Sequence, residues 1–109
     1  MPSRTRRERF LLRGLTPHTR AHVMQLLAEV PLLTITSGRR SAARNKQVGG
    51  SPRSFHLRGR AVDLVGPRFD LVRAAGLAWA LRVGAGCTGP EEVLLEKLDQ
   101  PGEHLHIAW

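Results

Sequence analysis

Residues 61–65 read Ala-Val-Asp-Leu-Val. An acid in the middle of an apolar run constrains this chain more than any other feature. The run itself predicts a buried strand, closed by Gly66-Pro67. A carboxylate is rarely fully buried without a partner, because desolvating a charge is expensive. Whatever fold forms must therefore bring a cation, an arginine or several N–H donors to Asp63. His56, seven residues earlier in the polar stretch 51–60, is near enough in sequence to approach from a loop.

The rest of the chain supplies elements to surround that strand. Thr16-Pro17 is an N-cap followed by proline at the first helical position. From there to Val30, helical periodicity gathers Val23, Leu26, Leu27 and Val30 on one side. His18, His22, Gln25 and Glu29 fall opposite. His18 and His22 have the i, i+4 spacing of a metal pair. With no third ligand nearby in sequence they read as solvent-facing helix surface. Pro31 ends the helix. Residues 32–36 predict a strand, 41–48 a short helix closed by Gly49-Gly50, and 51–60 a loop. Residues 69–83 predict a second long helix, weakened by Gly76. The loop 84–90 holds Cys87, read as a small unreactive residue because no base adjoins it. Strands are predicted at 92–98 and 104–109 around a turn at 99–102. In the last strand, alternation places His104 and His106 on one face and Leu105, Ile107 and Trp109 on the other. The expected fold is a single α+β domain over 1–109. A small, mostly antiparallel sheet packs against two main helices, and residues 1–14 form a basic arm.

Composition narrows the function. At 109 residues there is room for one domain. One cysteine excludes an internal disulfide and a Cys-rich structural zinc site. No apolar run approaches the roughly 20 residues of a membrane span, and Phe10-Leu11-Leu12 is too short for a signal-peptide core. Charge is uneven: residues 1–60 carry 13 Lys+Arg against 2 Asp+Glu, and 61–109 carry 4 against 7. A basic half favours a polyanionic partner. With 5% aromatics and no tyrosine there is little to stack bases on, so nucleic acid is not the expected partner.

Two histidines and one carboxylate drawn from this set suit zinc, leaving a fourth position for water as catalytic sites do. Ser54-Phe55-His56-Leu57-Arg58-Gly59-Arg60-Ala61-Val62-Asp63 has the form S-x-H-x-x-G-x-A-x-D. This resembles the zinc D-alanyl-D-alanine peptidase family with the hedgehog-like fold. That family includes bacterial D,D-carboxypeptidases and dipeptidases and phage L-alanyl-D-glutamate endolysins. Ser37-Gly38-Arg39-Arg40-Ser41 is similar to the family's S-G-x-R-S segment. Asn45 to Gly50 is similar to the N-x-x-V-G-G stretch of short phage-type members, and Glu103-x-x-His106 to the terminal E-x-x-H. The resemblance spans roughly 32–109.

The resemblance implies His56, Asp63 and His106 as zinc ligands, Glu103 as general base, and Arg40 as the group that polarises the scissile carbonyl. Ser54 would sit beside the substrate. Arg39 stands where another residue often precedes the motif arginine, so either arginine can face the cleft; register favours Arg40, leaving Arg39 as a substrate contact. His104 is an extra histidine, a group behind the ligands, a substrate contact or an alternative ligand, with His106 preferred as ligand. The implied activity is hydrolysis of an amide bond in peptidoglycan stem peptides, of D-Ala-D-Ala or L-Ala-D-Glu type. The alternative is a non-catalytic basic module on the same fold that binds wall polymer or nucleic acid. The expected enzyme is a monomer made in the cytoplasm that acts on the bacterial wall, reaching it by a phage or prophage release route. Its basic half would meet an anionic cell-wall polymer.

Overall fold

The computed structural model describes residues 4–84 and 89–109. Cys87 lies outside the described residues. Among the described residues, four helices and a four-stranded sheet form the expected α+β architecture. The helices are α1 (Arg6–Arg13), α2 (Pro17–Glu29), α3 (Ala42–Gln47) and α4 (Arg68–Gly84), and a 3-10 turn spans Phe55–Arg58. The strands are β1 (Thr34–Ser37), β2 (Ala61–Val65), β3 (Glu92–Glu96) and β4 (His104–Ala108). They lie in the order β1-β2-β4-β3, with every neighbouring pair antiparallel. β3 is shorter than expected. Lys97 and Asp99 take left-handed φ values of 55° and 63°, so the chain turns directly after Glu96.

Alternation along the strands gives the sheet two chemically distinct faces. Ile35, Val62, Leu64, Leu105 and Ile107 point to one side and are buried against Val23, Leu26 and Leu27 of α2, its C-cap Val30, and Leu71, Ala74 and Ala78 of α4. The other side carries Asp63, His104 and His106, and over it lie α3 and the 3-10 turn. α2 begins as its sequence predicts, with Thr16 Oγ1 accepting from the Thr19 amide at 3.3 Å. His22 is not fully solvent-facing. It is half-buried, stacked on the buried Trp109 ring at 5.7 Å and touched edge-on by His18.

The expected basic arm is corrected by the structure, which places residues 6–13 in helix α1. Thr5 and Glu8 form a capping box, with Thr5 Oγ1 accepting from the Glu8 amide and Glu8 Oε1 accepting from the Thr5 amide. Arginine is a good helix former, and Leu11 and Leu12 on one side reach the core. Glu8 is itself buried. Its Oε2 accepts from Arg4 at 2.9 Å and from the Ile35 amide at 3.1 Å, which ties α1 to edge strand β1. Among the described residues no helix is long and apolar enough to cross a membrane.

Candidate active site

Sheet register builds the floor of the site. Asp63 on β2 lies opposite His106 on β4 and, across a bulge in β1, opposite Ser37. Antiparallel partners share a face, so Asp63 and His106 meet directly. Asp63 Oδ1 stands 3.1 Å from His106 Nδ1, and Oδ2 accepts from Arg40 Nη2 at 3.2 Å. His56 Nε2 lies 3.4 Å from the same Oδ2. Burial alone would push the Asp63 carboxyl up. The neighbouring His106 and His56 rings outweigh it and hold the group well below the ordinary carboxylate range.

His56 reaches this floor because the 3-10 turn is pinned at both ends. Ser54 Oγ accepts from the His56 amide at 3.2 Å. Gly59 closes the turn in the left-handed region at φ 67°, and a Cβ there would stand 2.6 Å from the Gly14 carbonyl oxygen. No other residue fits both demands. The His56 ring is 2% exposed, and its Nδ1 is 2.7 Å from the Gly38 carbonyl. A carbonyl only accepts, so Nδ1 carries the hydrogen. Nε2 is buried and has no hydrogen-bond partner among the described residues. An orphaned buried nitrogen aimed at a carboxylate is costly unless something occupies the space between them.

Arg40 is fixed on three sides. Besides Asp63 it donates from Nε to Ser37 Oγ at 3.3 Å and from Nη1 to Asn45 Oδ1 at 3.2 Å. Asn45 is 3% exposed and donates to the Ser51 carbonyl at 2.8 Å. A Cβ on Gly50 would overlap Asn45 Oδ1 at 2.2 Å. The Asn45–Gly50 stretch is thus a bracket for the arginine, a role that sequence reading did not assign.

These side chains line a cleft of about 570 Å³, with Ser54, His104, Glu92 and Glu96 also on its walls. His104 donates from Nδ1 to the Gly102 carbonyl at 2.7 Å. Its Nε2 therefore faces the cleft, 3.9 Å from Asp63 Oδ1 and 3.9 Å from Glu96 Oε1. His106 sits between two carboxylates, with Nε2 3.0 Å from Glu92 Oε1. Burial alone would lower its pKa, and the hydrogen bonds and charge from Asp63 and Glu92 outweigh that and raise it.

Two expected residues are elsewhere. Glu103 does not line the cleft; its Oε1 accepts from Arg68 Nη2 at 2.6 Å, Arg68 Nε at 3.1 Å and the Asp99 amide at 3.2 Å. The turn at 97–102 carries it toward the start of α4, a placement that the E-x-x-H spacing does not show. Arg39 likewise leaves the cleft to Arg40. It lines a neighbouring depression with Arg7 and Arg44.

One ligand atom each from His56, Asp63 and His106 lie within 4.8 Å of one another. Two imidazole nitrogens and a carboxylate oxygen, one nitrogen orphaned and buried, fit a borderline-soft divalent ion such as zinc. The arrangement is the open, three-ligand type that leaves room for water and substrate. A protein-family model described as Peptidase M15 matches residues 16–91, which include Arg40, His56 and Asp63 but not His106. No curated protein and no solved structure matches the chain.

Proposed function

The chain belongs to the peptidase M15 family, and from that premise we propose that it hydrolyses an amide bond in peptidoglycan stem peptides, of D-Ala-D-Ala or L-Ala-D-Glu type. The observation that carries this reading is the convergence of His56, Asp63 and His106 on the floor of a cleft. These three would hold the zinc. When bound, zinc acidifies a water to near neutral pKa and draws charge from a carbonyl.

The chain's own side chains do the rest. Arg40, bracketed by Ser37 and Asn45, presents a guanidinium at the edge of the floor, where it holds the carbonyl oxygen as negative charge builds there. A fixed donor needs no reorganisation during the reaction, which makes it effective. The proton of the attacking water needs an acceptor inside the cleft. Glu103 is held outside by Arg68, whereas His104 offers Nε2 beside Asp63 with its tautomer set by Gly102. We assign the general base to His104, which then returns the proton to the leaving amine. Ser54 holds the turn that carries His56 and contributes to the cleft wall.

The depression lined by Arg7, Arg39 and Arg44 adjoins the cleft through Arg40, and among the described residues no carboxylate lines it. This favours an anionic wall polymer beside the stem peptide as the partner of the basic half.

The test is cleavage of purified peptidoglycan, with released fragments identified by mass, for wild type, His104→Ala and Glu103→Ala. The assignment predicts a loss of roughly 10²–10⁴-fold in His104→Ala and near wild-type cleavage in Glu103→Ala. The reverse pattern would move the base to Glu103. No fragments from zinc-loaded wild type would remove the peptidase reading.

A further inference from the structure

We propose that Glu92 is a positioning residue for the ion site. Its carboxylate accepts the Nε2 hydrogen of His106 and so turns Nδ1 of that ring toward the ion. The inference rests on the zinc-peptidase reading above.

Both nitrogens of His106 are engaged, Nδ1 with Asp63 Oδ1 at 3.1 Å and Nε2 with Glu92 Oε1 at 3.0 Å. An ionised carboxylate only accepts, so Nε2 must carry a hydrogen to hold Glu92. A ring that keeps its Nε2 hydrogen has one lone pair left for a cation, on Nδ1. His56 shows the mirror image: Nδ1 is tied to the Gly38 carbonyl and Nε2 is left facing Asp63. Each ring thus has its outer nitrogen bound to an acceptor and its inner nitrogen directed at the shared carboxylate. The inner atoms meet as the three-atom cluster on the floor. For His56 the orienting acceptor is backbone. For His106 it is a side chain, and therefore it can be removed.

The sheet explains why glutamate stands at this position. Leu94 on β3 lies opposite His106, and Glu92 lies opposite Ala108. Glu92 and His106 are thus diagonal neighbours on one face, separated by about 7–8 Å between backbones. The glutamate side chain spans that gap, placing Oε1 3.0 Å from His106 Nε2. Its neighbour Glu91 points to the other side of the strand and meets Arg60 at 3.7 Å, so the two glutamates are not interchangeable.

The experiment is zinc affinity, measured by competition with a chromophoric chelator, for wild type, Glu92→Ala and Glu92→Gln. Nitrogen-15 spectra of the His106 ring in the zinc-loaded wild type accompany it. The expected result is about 10–100-fold weaker zinc binding in Glu92→Ala, the usual effect of losing a carboxylate behind a ligating histidine. Glu92→Gln should recover part of the loss, because its amide oxygen still accepts from Nε2. The spectra should show a protonated Nε2 and a metal-bound Nδ1. The Glu92 side chain is 40% exposed, so Glu92→Ala should fold, which thermal unfolding of the metal-free protein checks. Wild-type zinc affinity in a folded Glu92→Ala, or zinc on Nε2 of His106, overturns the inference while leaving the peptidase reading intact. A wild type that binds no zinc overturns both.

Discussion

Glu8, on the buried side of the N-terminal helix, and Asp63, on the floor of the cleft, are both buried acids held in their charged form, yet their surroundings differ in kind. Glu8 is satisfied by the Thr5 and Ile35 amides and by Arg4, so its lone pairs are spent on holding α1 against β1. Asp63 accepts from Arg40 and faces the inner nitrogens of His56 and His106. One of those nitrogens, His56 Nε2, is buried with nothing to bond. A carboxylate closed by backbone amides is a structural clasp. A carboxylate ringed by side chains with donor atoms to spare is a place where something else binds. Burial alone does not separate the two; the partners' unused valence does.

The sharpest way to break this comparison is to neutralise each acid in turn. Asp63→Asn should abolish cleavage, a loss of at least 100-fold, and should also cost stability in the metal-free protein, because it takes a buried carboxylate from Arg40. Glu8→Ala should cost about 2–3 kcal/mol in denaturant unfolding, because it strips a capping box, leaves the Ile35 amide unpaired and takes the carboxylate from Arg4. Peptidoglycan cleavage by Glu8→Ala, assayed where it is folded, should stay near wild type. Loss of cleavage in a folded Glu8→Ala, or cleavage retained in Asp63→Asn, would mean that the two acids play the same part.

A smaller effect sharpens the same contrast through pH. Burial tends to raise the Glu8 carboxyl, but the Ile35 amide, Arg4 and the Thr5 amide outweigh it and set its folded pKa below 4.5. A depressed folded pKa contributes stability above the unfolded value and loses it as pH falls through the folded one. Metal-free wild type should therefore lose stability as pH drops below about 4.5. Glu8→Gln should show less of that loss at the upper end of the window, checked by thermal unfolding across pH 3–6.

The smallest effect concerns the arginine depression. Wall binding by wild type should weaken as salt rises, and Arg7→Ala with Arg44→Ala should flatten that dependence, read by co-sedimentation with insoluble wall material. An unchanged salt slope would detach the basic half from wall binding.

Local pattern made part of this legible. Alternation in 104–109 gave the faces of His104 and His106, and the apolar run 61–65 gave a buried Asp63, because a strand's period is short and strict. Thr16-Pro17 marked the start of α2 for the same local reason. What stayed hidden depended on contacts between distant residues. Glu103 was turned away from the cleft by Arg68, 35 positions earlier. Arg6–Arg13 read as a solvated arm because the value of Leu11 and Leu12 depends on a core formed later in the chain. Glu92 carried a signal that was missed: Glu92, Leu94 and Glu96 alternate against Val93 and Leu95. Placing that polar face beside the histidines needed the β3–β4 register, which a left-handed Lys97 helps to set.

The central claim, that the partners of Asp63 form an ion site whereas those of Glu8 form a clasp, is tested most directly by zinc content. Protein reconstituted with zinc and then desalted should hold about one zinc per chain as wild type and as Glu8→Ala. His56→Ala and Asp63→Asn should hold almost none. A folded wild type with no zinc, or His56→Ala with a full equivalent, would contradict the account.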